Sequence, residues 1–441
     1  MPDGPALRSE LTKAVDGLIH RLLSQLRKKD ESIAVVASPP GAGKTTTLLR
    51  LCDALARDDR TVGIVCQTNH QANDVARRLA GLRPPCPIIR FISTSSPPGP
   101  EIDGTIPISR SADFPDGKKI VIGTAAKWSL IDDCEPLDAM LIDEAWQMTH
   151  ATLLPILRFS GRIVMIGDPG QIPPVVPTPT ERWETSRNPP HLAAPDVVLR
   201  RLEAPKHQLP ATWRLPSDSA STIAPFYDFA FGSAAQPGER RFSRAGRGPN
   251  DRIDQALESL YDRSMTLLLL SSPPSGTLAI GDRDVASAIA ATAVRALETG
   301  AVAESTDGAK PIRRALGPRD IGISATRREM VQAIVDALPP ELRSKIHVDT
   351  AERWQGLECE LMIIAHPLSS VRDPSAFDLE TGRLCVMASR HRSGLVVVSR
   401  DHVPETLATV MPGAEQPLGR DDVVGRGLFQ HRAFWEAVVD S

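Results

Sequence analysis

Tyrosine is scarce in this sequence, with 2 in 441 residues, and aromatic residues make up only 4%. Base stacking, worth roughly 1–3 kcal/mol per base where it occurs, is therefore limited. The six cysteines (Cys52, Cys66, Cys86, Cys134, Cys359 and Cys385) form no C-x-x-C pair. A zinc ribbon or dithiol redox motif has no support, and they read as scattered reduced thiols. Long apolar runs are missing too. The longest, near Thr266–Leu270 and Leu395–Val398, fall far short of the roughly 18 residues a membrane helix needs. Met1–Asp30 carries charge throughout and has no apolar signal region, so a cytoplasmic location without membrane contact is expected. Nor is there an excess of charge: 51 Lys+Arg face 54 Asp+Glu, a net −3. That excludes a strongly basic nucleic-acid coat but leaves room for a local basic groove.

What is present is ordinary globular material, 41% apolar and 24% charged. Disorder, collagen and a mucin-like stalk are excluded. The length allows two or three domains. Met1–Asp30 repeats Leu7, Leu11, Val15, Leu18, Leu22 and Leu26 at helical spacing. Ile33–Ser38 is an apolar, β-branched run suited to a buried parallel strand. Further strands are expected at Thr61–Cys66, Lys119–Ile122, Ala139–Ile142 and Arg162–Ile166, with a helix over His70–Leu82. A second α/β set begins near Pro205, with strands at Met265–Leu270, Asp320–Ser324, Ile346–Val348, Leu361–Ala365 and Leu395–Ser399. Pro84–Pro115 and Pro173–Pro195 read as loops or small insertions, and Gly232–Asp262 as a polar surface excursion. Strands alternating with helices indicate doubly wound α/β domains. The boundary is expected at 204/205.

Three features carry chemistry. Ser38-Pro39-Pro40-Gly41-Ala42-Gly43-Lys44-Thr45-Thr46 lies between an expected strand and helix. It fits the phosphate loop G-x-x-x-x-G-K-[ST], with Ser38 for the first Gly. Gly41 and Gly43 let backbone N–H groups turn toward phosphate, and the helix start adds positive potential. Lys44 is expected to reach the β- and γ-phosphates and the Thr45 hydroxyl to bind Mg²⁺. The strand Ala139–Ile142 ends in Asp143 and Glu144, candidates for the Mg²⁺ ligand and for polarising the attacking water. The strand Arg162–Ile166 ends in Gly167-Asp168-Pro169-Gly170-Gln171, where Gln171 is a candidate γ-phosphate sensor; an ordinary Asp-Pro-Gly turn is the competing reading.

With these boxes in place, the sequence resembles a superfamily 1 helicase of the up-frameshift-type 5′→3′ group. Asp143-Glu144-Ala145-Trp146-Gln147 resembles its D-E-A-x-Q box and Gly167–Pro174 its G-D-x-x-Q-L-P-P box. Leu209–Leu215, Pro225–Tyr227, Asp320–Arg327, Thr350–Glu358 and Arg383–Arg390 resemble later boxes in the family's order. The resemblance implies two tandem RecA-like P-loop NTPase domains with parallel sheets, 1–204 and 205–441, and minimal accessory domains. It implies ATP and Mg²⁺ held between them, with Arg214 and Arg390 as arginine fingers. It further implies Trp213 against adenine, Gln355 and Gly356 at the phosphate, and Glu358 at the ribose. Asn69, Thr124 and Thr350 fall in boxes that touch the nucleic-acid backbone. The expected activity is an ATP-dependent translocase or helicase on single-stranded DNA or RNA. The alternative is a nucleic-acid-stimulated ATPase switch that recruits a protein partner without processive unwinding. A monomer is expected.

Overall fold

The computed structural model describes residues 4–28, 30–93, 101–131, 134–176, 178–183, 186–273, 278–306, 310–410 and 423–440. The chain divides into two compact units. One takes residues 9–169 and 173–210, and the other takes the remainder.

The first unit is built on eight parallel strands: β1 (Ser32–Ala37), β2 (Val62–Cys66), β3 (Ile88–Phe91), β4 (Ile106–Ile108), β5 (Ile120–Thr124), β6 (Ala139–Ile142), β7 (Arg162–Gly167) and β8 (Lys206–Gln208). Their order is β4-β3-β5-β2-β6-β7-β1-β8. Helices α1 (Gly4–Arg27), α2 (Lys44–Arg57), α3 (Asn69–Leu82), α4 (Ala125–Ser129), α5 (His150–Leu153) and α6 (Ala194–Leu202) accompany them. The central strands are buried from end to end, which their Val/Ile/Leu runs require of a sheet covered on both faces. Leu48, Leu51, Cys52 and Leu55 line one flank of α2 and close on the sheet with Leu22 and Leu26 of α1.

Two details depart from the sequence reading. The Pro84–Pro115 stretch is more than a loop, because it supplies β3 and β4; residues 94–100 lie outside the described ones. Pro107 is tolerated because β4 is an edge strand, where a missing N–H costs no ladder bond. Strand β8, beyond the expected boundary at 204, pairs with β1.

The second unit has a five-stranded parallel sheet, in the order β12-β18-β17-β15-β16. Before it, β9 (Ala211–Thr212) pairs with β10 (Gly232–Ser233), and β11 (Arg240–Arg244) precedes β12 (Met265–Leu270). Then follow β13 (Ala301–Ser305), β14 (Ile312–Ala315), β15 (Ile321–Ala325), β16 (His347–Thr350), β17 (Cys359–Ala365) and β18 (His391–Arg400). Its helices are α7 (Ser217–Ile223), α8 (Arg252–Ser259), α9 (Arg283–Glu298), α10 (Arg328–Ala337), α11 (Thr381–Ala388), α12 (Val403–Thr409) and α13 (Val423–Asp440). Strands β11, β13 and β14 form a small antiparallel sheet. The segment expected as a polar excursion therefore contains β11 and α8. Asp254, fully buried on α8, accepts from Arg244 of β11 at 2.7 Å and from Arg295 of α9 at 2.6 Å. In the last helix Phe434 and Val438 are buried, while Phe429 is exposed.

One aromatic centre holds the first unit's β2–β5 region. Trp128 is fully buried, donates from Nε1 to the Ile64 carbonyl at 3.1 Å, and meets Phe91 and Phe159 at centroid distances of 5.8 and 5.3 Å. Trp128→Ala leaves a cavity and removes a donor to the Ile64 carbonyl. It is expected to destabilise by about 3–5 kcal/mol, read as a lower urea midpoint.

Candidate nucleotide site

The phosphate loop leaves the C-terminal end of β1 and turns into α2. Gly41 and Gly43 have φ of 68° and 84°, a region that disfavours any side chain. Gly43 is the residue before the first turn of α2, so the left-handed turn aims that helix start back over the loop. Pro40 and Ala42 are buried, and Thr46 is exposed.

Neighbouring strands β6 and β7 end beside β1 and bring the acids. The Lys44 ammonium lies 3.3 Å from a Glu144 carboxylate oxygen and 3.8 Å from one of Asp168. The Thr45 hydroxyl donates to Asp143 Oδ2 at 3.4 Å. Asp143 Oδ1 accepts the Glu144 backbone N–H at 3.0 Å. Glu144 itself sits at φ 49°, a left-handed conformation uncommon outside glycine and found at functional sites. Sequence reasoning gave Asp168 no role, yet it shares Lys44 with Glu144.

Burial, reinforced by the adjacent Glu144 charge, pushes the Asp143 carboxyl up to about 7, against the pull of Lys44 and two hydrogen bonds. A buried carboxylate short of positive charge, facing a hydroxyl, is a fitting donor set for a divalent cation. Asp143 and Thr45 would hold Mg²⁺, and Lys44 with the loop N–H groups would hold the nucleotide phosphates.

Asn69 opens α3, and Thr124 ends β5, whose last pairing sets Thr124 opposite Cys66. The Asn69 side-chain oxygen accepts from Arg90 at 2.8 Å. Thr124 caps α4 by accepting from the Lys127 N–H, the helix-cap role common for such a residue.

In the second unit, Arg214 is nearly buried. It donates from Nε to Glu358 at 2.9 Å and from Nη1 to the Ser389 carbonyl at 3.2 Å. Burial would raise the Glu358 carboxyl, but Arg214 and Arg392 outweigh it and hold it below its ordinary range. Arg390 is 1% exposed and donates to the Val386 carbonyl of the preceding helix α11 at 2.8 Å and to Ser389 Oγ at 3.1 Å. Trp213 is half-buried, with its carbonyl held by Arg240 at 2.8 Å. Gln355 is half-buried, while Gly356 is exposed at φ 81°. Thr350 ends β16, and Gln171 is buried just after β7. The structure thus brings Arg214, Glu358 and the residue before Arg390 together. It separately gathers Lys44, Thr45, Asp143, Glu144 and Asp168. Arg240 and Arg392, partners of the Arg214–Glu358 group, escaped the sequence reading because only the fold brings them near.

Residues 20–182 match the family model described as "AAA domain". Among curated proteins, the chain is similar to DNA replication ATP-dependent helicase/nuclease DNA2 of Mus musculus, at 23% identity over 368 residues, covering 77% of this chain and 32% of that protein. The Bos taurus protein of the same name is 24% identical over 242 residues, covering 52% of this chain and 21% of its own length. The chain therefore spans about a third or less of the curated relatives it matches. Among solved structures it is similar to PRRSV helicase (16% identity, TM-score 0.42, 86% of this chain and 54% of that one). It is also similar to Arterivirus nonstructural protein 10 (helicase) (12%, TM-score 0.45, 86% and 62%). The AAA-domain match spans the phosphate loop and both acid-bearing strands. No helix among the described residues is long and apolar enough to cross a membrane.

The raised Asp143 carboxyl has a measurable consequence. Between its ordinary range and about 7, the folded protein binds a proton that the unfolded chain has released. Stability of the nucleotide- and metal-free protein should therefore fall as pH rises from about 4 to about 7. Asp143→Asn is expected to flatten that part of the melting-temperature profile. An unaltered slope in Asp143→Asn would count against the assignment.

Proposed function

We propose that this chain is an ATP-driven translocase or helicase of single-stranded nucleic acid, of the up-frameshift-type 5′→3′ group. The observation that supports it most is the set of charges on three adjacent strand ends: Lys44 beside Glu144 and Asp168, with Thr45 facing Asp143. In this reading Lys44 exchanges its carboxylate partners for the β- and γ-phosphates. Glu144, relieved of Lys44, orients and accepts a proton from the attacking water. Asp143 and Thr45 would hold Mg²⁺, which would supply positive charge to offset that developing on the phosphate oxygens. Arg214 and Arg390 complete the charge stabilisation, each leaving its present partners to do so; arginines in that role are worth roughly 10³–10⁵ in rate. Trp213 against adenine, Glu358 at the ribose, and Gln355, Gly356 and Gln171 at the phosphates belong to the same proposal, as do Asn69, Thr124 and Thr350 on the strand. So do a division of the chain into two domains and a cytoplasmic monomer.

The test is ATPase rate with no polymer, with single-stranded DNA and with single-stranded RNA. Stimulation by at least one is expected, and none by either would sink the proposal. A duplex with a 5′ overhang then separates translocase from switch: ATP-dependent strand release supports the former, and stimulated hydrolysis without release supports the partner-recruiting alternative. Glu144→Gln is expected to keep ATP binding and lose at least about 100-fold in turnover, the low end of general-base contributions. Lys44→Ala is expected to lose productive nucleotide binding.

A further inference from the structure

Arg90 occupies the middle of β3 and is only 4% exposed. Every acceptor it has is neutral. Nε donates to Asn73 Oδ1 at 2.8 Å and Nη2 to Asn69 Oδ1 at 2.8 Å. Nη1 donates to the carbonyls of Phe91, at 2.8 Å, and Ile122, at 3.3 Å. Among the described residues no carboxylate forms an ion pair with it. Burying a cation without a counter-charge is costly, and an apolar residue would fill a strand interior at less cost.

The arrangement fixes the direction of two side chains. A guanidinium only donates, so each asparagine must turn its oxygen toward Arg90 and leave its NH₂ group as the free-facing end. Asn69 and Asn73 are four apart on α3 and therefore share one face of it. Asn69 is exposed and Asn73 half-exposed. The start of α3 is pinned by Thr68 and Gln71, which cap it reciprocally. Asp74, the next residue, lies against Arg77 at 3.5 Å and Arg78 at 3.6 Å. The result is two amide donors on one face, the positive end of a 14-residue helix, and a whole buried charge behind them. Each element favours a ligand that is anionic and only accepts hydrogen bonds.

We propose that Arg90 is a positioning residue that turns Asn69 and Asn73 into a paired amide clamp for a phosphodiester backbone, and that Asn73 is a strand-binding residue. The inference rests on the nucleic-acid reading above. It extends that reading from Asn69 to Asn73 and to a buried charge, neither of which a sequence box marks.

The test is fluorescence anisotropy of a labelled deoxythymidine oligomer and a labelled uridine oligomer with the full chain, across a series of KCl concentrations. Asn73→Ala removes a donor but keeps the charge, so affinity should fall about 10-fold with the salt slope unchanged. Asn73→Asp gives Arg90 a carboxylate. It should keep or raise the melting temperature, weaken binding more than Asn73→Ala does, and reduce the log–log salt slope by roughly 0.7. Arg90→Gln should lower the slope similarly, and Asn73→Asp carries the test if that variant does not fold. A merely structural Arg90 would move the melting temperature and leave the slope alone. If the unaltered chain binds a strand and Asn73→Ala and Asn73→Asp bind it equally well with the same slope, the clamp is overturned by itself. If the unaltered chain binds neither polymer, the clamp and the nucleic-acid reading fall together.

Discussion

The nucleotide site depends on β6, β7 and β1 lying side by side in parallel register. Ile142 pairs with Met165, and Ala37 pairs with Gly167, so the three strands end within two residues of one another. Asp143-Glu144, Asp168 and the phosphate loop all leave from that edge. The Lys44 ammonium then falls between two carboxylates without any long-range adjustment of the chain. Removing one member of such a group leaves a poorly solvated charge with too little compensation, which costs more than the pair itself is worth. Gly43 and Glu144 both adopt left-handed backbone here. For Glu144 that is strain of order 1–3 kcal/mol, held in place by the Asp143 acceptor on its N–H and by Lys44 on its carboxylate. The same contacts that hold the strained turn also keep the three charges within reach of an incoming phosphate.

This part of the protein was legible because every signal in it is local. An apolar run, a glycine pair and a Lys-Thr step occupy about a dozen consecutive positions, and each acid directly follows its own strand. The parallel order that unites them follows from alternation of strands and helices. Elsewhere the decisive interactions span long stretches of chain. Strand β3 was hidden because Arg90 interrupts its apolar run, and β4 because Pro107 reads as a breaker unless the strand is known to lie at an edge. Strand β11 carries one buried aromatic, Phe242, among arginines and a serine. Its place is secured by Arg244 on Asp254, and that carboxylate is shared with Arg295 forty-one residues further on. No periodicity announces a sheet held by a buried carboxylate.

The second unit shows the same contrast in its arginines. The boxes containing Arg214 and Arg390 could be read from the chain, but their surroundings could not. His391 Nε2 meets Ser219 Oγ at 2.6 Å, and Ser264 donates to Asp218 at 2.7 Å, so the segment after Arg390 is tied to the helix after Arg214. Burial lowers the His391 imidazole to about 4, with Arg214 adding to the effect against the pull of Asp218. A neutral ring is what this place requires, because a third cation beside Arg214 and Arg390 would have to be buried as well.

Charge placement therefore carries more than charge balance does. A net of −3 in 441 residues conceals cations in two very different situations. Arg214, Arg244, Arg295 and Arg400 each reach a carboxylate, and they fasten elements together. Arg90 reaches only amide and carbonyl oxygens, which orient around it without neutralising it. An arginine of the first kind works through the bond it has already made. One of the second kind leaves a field at the surface in front of it, and two asparagines there turn that field into directed donors. A chain with almost no net charge can hold an anionic strand in this way, because the field at a contact depends on the unpaired charge behind it and not on the sum over the molecule.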